Sequence, residues 1–158
     1  MERAEMTEGR KRPESWRDAS RSGIVKIRGV QSGYGQQDVN EVTTPARYVC
    51  RDGKRYLFYR EYAESGASQQ VRLTISEGEV CLKKSGMGHT ELTFCKGSKR
   101  PCHYQSPVGP MELVSQTRKI RLRESEHHMN LKMEYSLYMH EQILSDYALD
   151  IEWRETTE

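Results

Sequence analysis

The chain has 158 residues, 35% hydrophobic and 30% charged, enough for one domain with a buried core but too polar for a parallel sheet covered by helices. Its formal net charge of +2 points by itself to neither a nucleic-acid nor a membrane partner. No run approaches the roughly 18 apolar residues of a membrane helix, and the N-terminus lacks the apolar segment of a secretory signal, so a cytoplasmic location with reduced cysteines is expected.

Residues 1–22 hold six Lys/Arg and five Asp/Glu and few apolar side chains. Such a segment cannot bury enough surface to offset its ordering entropy, so a disordered polar tail is expected, with Trp16 as its one large apolar residue. Residues 23–158 are the folded domain. Strands are expected over Ile24 to Ser32 and Val39 to Cys50, where Pro45 marks a bulge or an edge because proline cannot donate to a ladder. Asp52-Gly53 is a tight hairpin signal. Lys54 to Tyr62, Gln70 to Ser76, Glu79 to Lys84, Thr90 to Phe94 and Cys102 to Ser106 follow, separated by turns rich in Gly, Ser and Pro. Met111 to Thr117 and Lys119 to Glu124 are read as two further strands.

The alternation is clearest at the C-terminus. Leu131, Met133, Tyr135, Leu137 and Met139 share one face, and after a break so do Tyr147, Leu149, Ile151 and Trp153. Between these strands, His140 to Ser145 has room for a single helical turn. A period of two over so long a stretch means strands with one buried and one wet face. An open sheet of this size would leave exposed edges, and closure removes them. The expected fold is therefore all-β, an antiparallel up-and-down barrel of about 8–10 strands.

The run Phe94 to Thr117 carries an aromatic residue, a Gly-x-Lys element, a Tyr and a Ser-Pro-x-Gly-x-Met turn, here Phe94, Gly97, Lys99, Tyr104, Ser106, Pro107, Gly109 and Met111, closing on Thr117. This run resembles the signature of the DUF1934 family of YwiB-like bacterial proteins, and the likeness extends from about Ile24 to Trp153. The resemblance implies a calycin (lipocalin-like) barrel in the cytoplasm of Gram-positive bacteria and brings no catalytic residues to carry over. The chain departs from the pattern in its polar tail and in Pro110, which follows the second motif glycine.

The candidates for chemistry are few. Cys95, Cys102 and His103 lie close together, but adjacent strand residues point to opposite faces, so no metal site is expected. No nucleophile elbow or acid–base pair stands out, so neither an enzyme nor a cofactor is expected. Inward positions Leu57, Tyr59, Leu73, Met111, Leu113, Met133, Tyr135 and Trp153 either fill the barrel or line an apolar lumen that holds a small, largely apolar ligand. Glu61 shares the face of Leu57 and Tyr59; it is either a ligand-anchoring carboxylate of raised pKa or a rim residue paired with Lys or Arg. The leading expectation is a non-enzymatic barrel with a ligand in its lumen. The alternative is an RNA- or protein-interaction module using the outer basic stripe Lys119, Arg121 and Arg123. Monomer and homodimer are equally compatible with the sequence.

Overall fold

The computed structural model describes residues 19–156. Ten antiparallel strands run in chain order around a closed barrel: β1 (Ser20–Gly33), β2 (Gln36–Arg51), β3 (Lys54–Tyr62), β4 (Ser68–Ser76), β5 (Glu79–Ser85), β6 (His89–Cys95), β7 (Lys99–Ser106), β8 (Gly109–Ser125), β9 (His128–Met139) and β10 (Gln142–Glu155). β1 closes the barrel by pairing with β2 on one side and β10 on the other, from Gly23 opposite Glu155 to Ser32 opposite Asp146.

Three differences from the expected elements have physical causes. β1 opens at Ser20, inside the stretch assigned to the polar tail. Ser20 pairs with Val49 and the Cys50 amide donates to the Ala19 carbonyl, so the backbone of residues 19–22 is held by β2 even though their side chains are polar. Trp16 and the rest of 1–18 lie outside the described residues. The two strands expected on either side of Arg118 are one strand, β8, with a bulge. Thr117 faces Tyr135 and Lys119 faces Glu134, leaving Arg118 as the extra residue, whose Nη1 donates to Ser136 Oγ at 2.7 Å. The His140 to Ser145 stretch holds no helical turn. His140 and Glu141 take φ of 52° and 66°, the left-handed pair of a two-residue hairpin, and β10 starts at Gln142. Asp52-Gly53, with φ of 52° and 79°, forms the tight turn its sequence signals.

Pro45 takes part in the β1–β2 ladder opposite Ile24, while the β2–β3 ladder begins one residue later, at Ala46. The thinnest seam is between β6 and β7, where Glu91 and His103 form the one ladder pair. Side chains complete it. The Thr93 amide donates to Cys102 Sγ at 3.4 Å, Ser115 Oγ donates to the Thr93 carbonyl at 2.6 Å, and the Gln105 amide donates to Thr90 Oγ1 at 3.1 Å. Thr90, Cys102 and Ser115 are buried because they satisfy backbone groups that a strand would otherwise satisfy. Ser106 Oγ donates to the Gly109 carbonyl and accepts from the Val108 amide, and Gly109 itself sits at φ 125°, so the Ser-Pro-Val-Gly motif serves as a backbone turn.

Inside the barrel, Phe94 packs on Tyr135 with ring centroids 4.3 Å apart, and Tyr135 stacks on Tyr147 at 5.0 Å. Burial, with Glu124 behind it, pushes the Tyr48 phenol well up; burial, with Glu61 and with Tyr147 respectively, does the same to Tyr59 and Tyr135. A phenol whose folded pKa is raised stabilises fully below its unfolded value, and that contribution is lost as the pH climbs toward the folded value. Stability should therefore hold level up to about pH 10 and then fall by roughly 1.4 kcal/mol per pH unit for each of the three phenols. Melting temperature against pH, recorded with tyrosinate absorbance, checks this. Absence of a further rise in tyrosinate absorbance at the unfolding transition would show that the three phenols are not protected.

Candidate functional site

The inward face was the expected ligand site, and the side chains on it fill the lumen. Leu57, Leu73, Leu113, Met133, Tyr135 and Trp153 are buried in one continuous cluster, with Tyr59 and Met111 packed against it. A partly open cleft of about 10 Å³, room for roughly one water, lies at one end of the barrel beside Ala19, Arg21, Tyr48, Cys50, Ser125 and Glu126. Of the two alternatives, a filled barrel and an open apolar lumen, the burial of these side chains favours the first, because their bulk occupies the space.

Glu61 takes the rim position. Lys84 Nζ lies 3.1 Å from its Oε1 and Gln69 Nε2 donates to the same oxygen at 3.2 Å, so its charge is compensated within the barrel wall. The other end carries a deeper carboxylate. β3 turns Arg55 inward in step with Leu57, and β8 turns Glu124 inward in step with Leu122. Across the lumen Arg55 Nε meets Glu124 Oε2 at 2.8 Å and Nη2 meets Oε1 at 2.9 Å, a bidentate pair. Tyr48 Oη donates to Glu124 Oε2 at 2.6 Å. The Arg55 and Glu124 side chains are only 6% and 5% exposed. Burial works against the Arg55 charge, but Glu124's hydrogen bonds and charge outweigh it and hold the guanidinium protonated. This triad closes one end of the barrel. The signal for it was present in the alternation, since Arg55 shares the phase of Leu57 and Tyr59.

The outer stripe is in place but set among carboxylates. Lys119 Nζ is 3.9 Å from Glu134, and Arg121 faces Lys132, which pairs with Asp150 at 3.3 Å. Arg123 faces Asn130, and further round His128 Nε2 lies 2.8 Å from Glu152 Oε2, the contact that chiefly holds the Glu152 carboxyl below its usual value. Of the stripe, Lys119 is thus the residue with a carboxylate beside it, while Lys132 and His128 on β9 pair with Asp150 and Glu152 on β10. Cys102 is buried at the β6–β7 seam, while His103 points outward to Glu112 at 2.9 Å, on opposite faces as their adjacency requires.

Comparison with known proteins places these observations. The family model described as "Domain of unknown function (DUF1934)" matches residues 25–151. The chain is 26% identical over 115 residues to the protein of Bacillus subtilis (strain 168) named "Uncharacterized beta-barrel protein YwiB", covering 73% of this chain and 80% of that one. The crystal structure of the YwiB protein from Bacillus subtilis superposes with a TM-score of 0.78 at 23% identity, over 87% of this chain and 94% of that one, which supports the fold.

Proposed function

The chain belongs to the DUF1934 family, and we propose that it is a non-enzymatic binding protein whose filled barrel is a rigid scaffold and whose outer face makes the contacts. The observation that carries this reading is the packed lumen. A site for a drug-sized molecule takes a few hundred Å³ or more, whereas the inward side chains Leu57, Leu73, Leu113, Met133, Tyr135 and Trp153 are buried against one another in one cluster that occupies the lumen. A ligand in the lumen would have to displace buried side chains such as Leu57, Met133 and Trp153 or break the Arg55–Glu124 pair, and either is costly. Among the described residues the buried Thr117 Oγ1 has no hydrogen-bond partner, but the other principal polar groups of the interior are already committed. Glu61 is paired with Lys84, Glu124 with Arg55 and Tyr48, and Ser115 and Cys102 with the Thr93 backbone.

Native mass spectrometry of the purified full chain, followed by titration with palmitate and with the apolar fluorophore N-phenyl-1-naphthylamine, tests the reading. The expected spectrum is the bare polypeptide mass, with no saturable binding of either probe. A small molecule retained at one per barrel, or a stoichiometric probe site altered by Met133→Ala, would overturn the scaffold reading and restore the lumen as the site.

A further inference from the structure

We propose that the outer face of β2, β3 and β4 binds single-stranded nucleic acid, its arginines engaging phosphates and Phe58 stacking on a base. The inference rests on the outer-face reading above and names the partner. The ladders bring Arg47 of β2 opposite Phe58 of β3, and Phe58 opposite Arg72 of β4, so one row across three strands reads cation, aromatic, cation. With strands about 4.8 Å apart, the two arginines stand roughly 10 Å apart with the ring between them. Tyr56 lies 6.2 Å from Phe58 with its ring nearly parallel, on the same face. Arg60 extends the patch toward Tyr62, which is 68% exposed.

Charge distinguishes this face from the rest of the barrel. From Pro45 to Arg51 on β2, and along all of β3 and β4, no outward position holds Asp or Glu. The nearest acidic residues are Asp52, Glu64 and Glu77 in the flanking turns, Glu79 of β5 opposite Ser76, and Glu91, which faces Lys83 one strand further on. Among the described residues Arg47 and Arg60 donate to the hydroxyls of Ser20 and Ser68, and neither they nor Arg72 forms an ion pair. Cations unmatched by carboxylates complement a polyanion. Exposed aromatic rings on the same sheet surface favour one with unpaired bases over a duplex or a purely charged polymer. The stripe of Lys119, Arg121 and Arg123 differs in that Lys119 lies 3.9 Å from Glu134 and no aromatic ring interrupts it.

Fluorescence anisotropy of the full chain with labelled uridine and deoxythymidine oligomers, with heparin as a base-free competitor, tests the proposal. Saturable binding to the oligomers at low salt is expected. Phe58→Ala should weaken it roughly five-fold or more while leaving heparin binding unchanged. Arg47→Gln with Arg72→Gln should lower the slope of log K against log salt by about 1.4, from two lost phosphate contacts on a single strand. Lys119→Gln with Arg121→Gln should leave both readouts in place. Circular dichroism melts of each variant, which change only side chains on the outer face, exclude unfolding as the cause. The proposal falls if neither oligomer binds, if heparin binds equally and Phe58→Ala changes nothing, or if the loss follows Lys119 and Arg121. It falls equally if sedimentation shows a dimer that Phe58→Ala dissociates, because a second copy then covers the face. Failure here with no ligand found in the lumen leaves the scaffold reading intact; a ligand found in the lumen removes that reading whatever the oligomers do.

Discussion

Glu124→Ala should cost about 3–5 kcal/mol of folding stability, the usual penalty for removing one member of a buried ion pair. The carboxylate accepts two hydrogen bonds from Arg55 and one from Tyr48. Its removal leaves a guanidinium that is 6% exposed facing an apolar lumen. The cost comes from that stranded charge rather than from the attraction lost, so a second variant separates the two. Replacing both partners, Arg55→Met with Glu124→Leu, removes the desolvation of both charges and should recover most of the loss. Tyr48→Phe deletes a single hydrogen bond to a charged group and should cost about 1.5–3 kcal/mol. Urea denaturation followed by circular dichroism at neutral pH measures all three. If Glu124→Ala and the double replacement prove equally destabilising, the triad holds the end of the barrel by its geometry, and the stranded charge is not what sets the cost.

That triad also marks the limit of what alternation can tell. The phase of β3 put Leu57, Tyr59 and Glu61 on one face, and Arg55, which the sequence reading left aside, points inward with them. Phase does not say how far along the barrel axis each residue lies. Glu61 stood out as the carboxylate worth attention, yet it sits at a rim against Lys84, and the deeply buried carboxylate is Glu124. Depth depends on the stagger between neighbouring strands, a property of the closed barrel rather than of any one segment. The bulge at Arg118 was hidden for a related reason. The alternation Met111 to Thr117 and that of Lys119 to Glu124 are each clean, and an extra residue between them reads as a turn until β9 is seen pairing with both. The turns were the most legible elements, because Asp52-Gly53 and Ser106 to Gly109 carry their backbone chemistry in their own residues. The row Arg47, Phe58, Arg72 was the least legible. Its members are separated in sequence and belong to three strands, and only the cross-strand register makes them neighbours.

Trp153→Ala should cost about 3–5 kcal/mol, the range for emptying a core site of this size, and its burial and two contacts say why the indole cannot be replaced cheaply. It is 1% exposed, its ring centroid lies 5.0 Å from that of Tyr48, and its Nε1 donates to the Ala46 carbonyl at 3.1 Å. Trp153→Phe keeps most of the apolar volume but leaves that buried carbonyl without its donor, which should cost about 1–3 kcal/mol. The indole has room because Gly23 has no side chain. A Cβ at Gly23 would come within 2.5 Å of Trp153 Nε1 and would also strike the Arg154 carbonyl of the neighbouring strand. Gly23→Ala should therefore destabilise by about as much as a typical overpacking change, 1–3 kcal/mol or more. The two sites share one space, so the combination Gly23→Ala with Trp153→Ala should cost less than the sum of its parts. Some penalty should persist, because the Arg154 carbonyl belongs to the β10 backbone and cannot rotate away. Denaturant midpoints of the two single variants and the double variant decide it. Strict additivity would mean that Gly23 is demanded by the strand backbone alone and that the indole lies elsewhere.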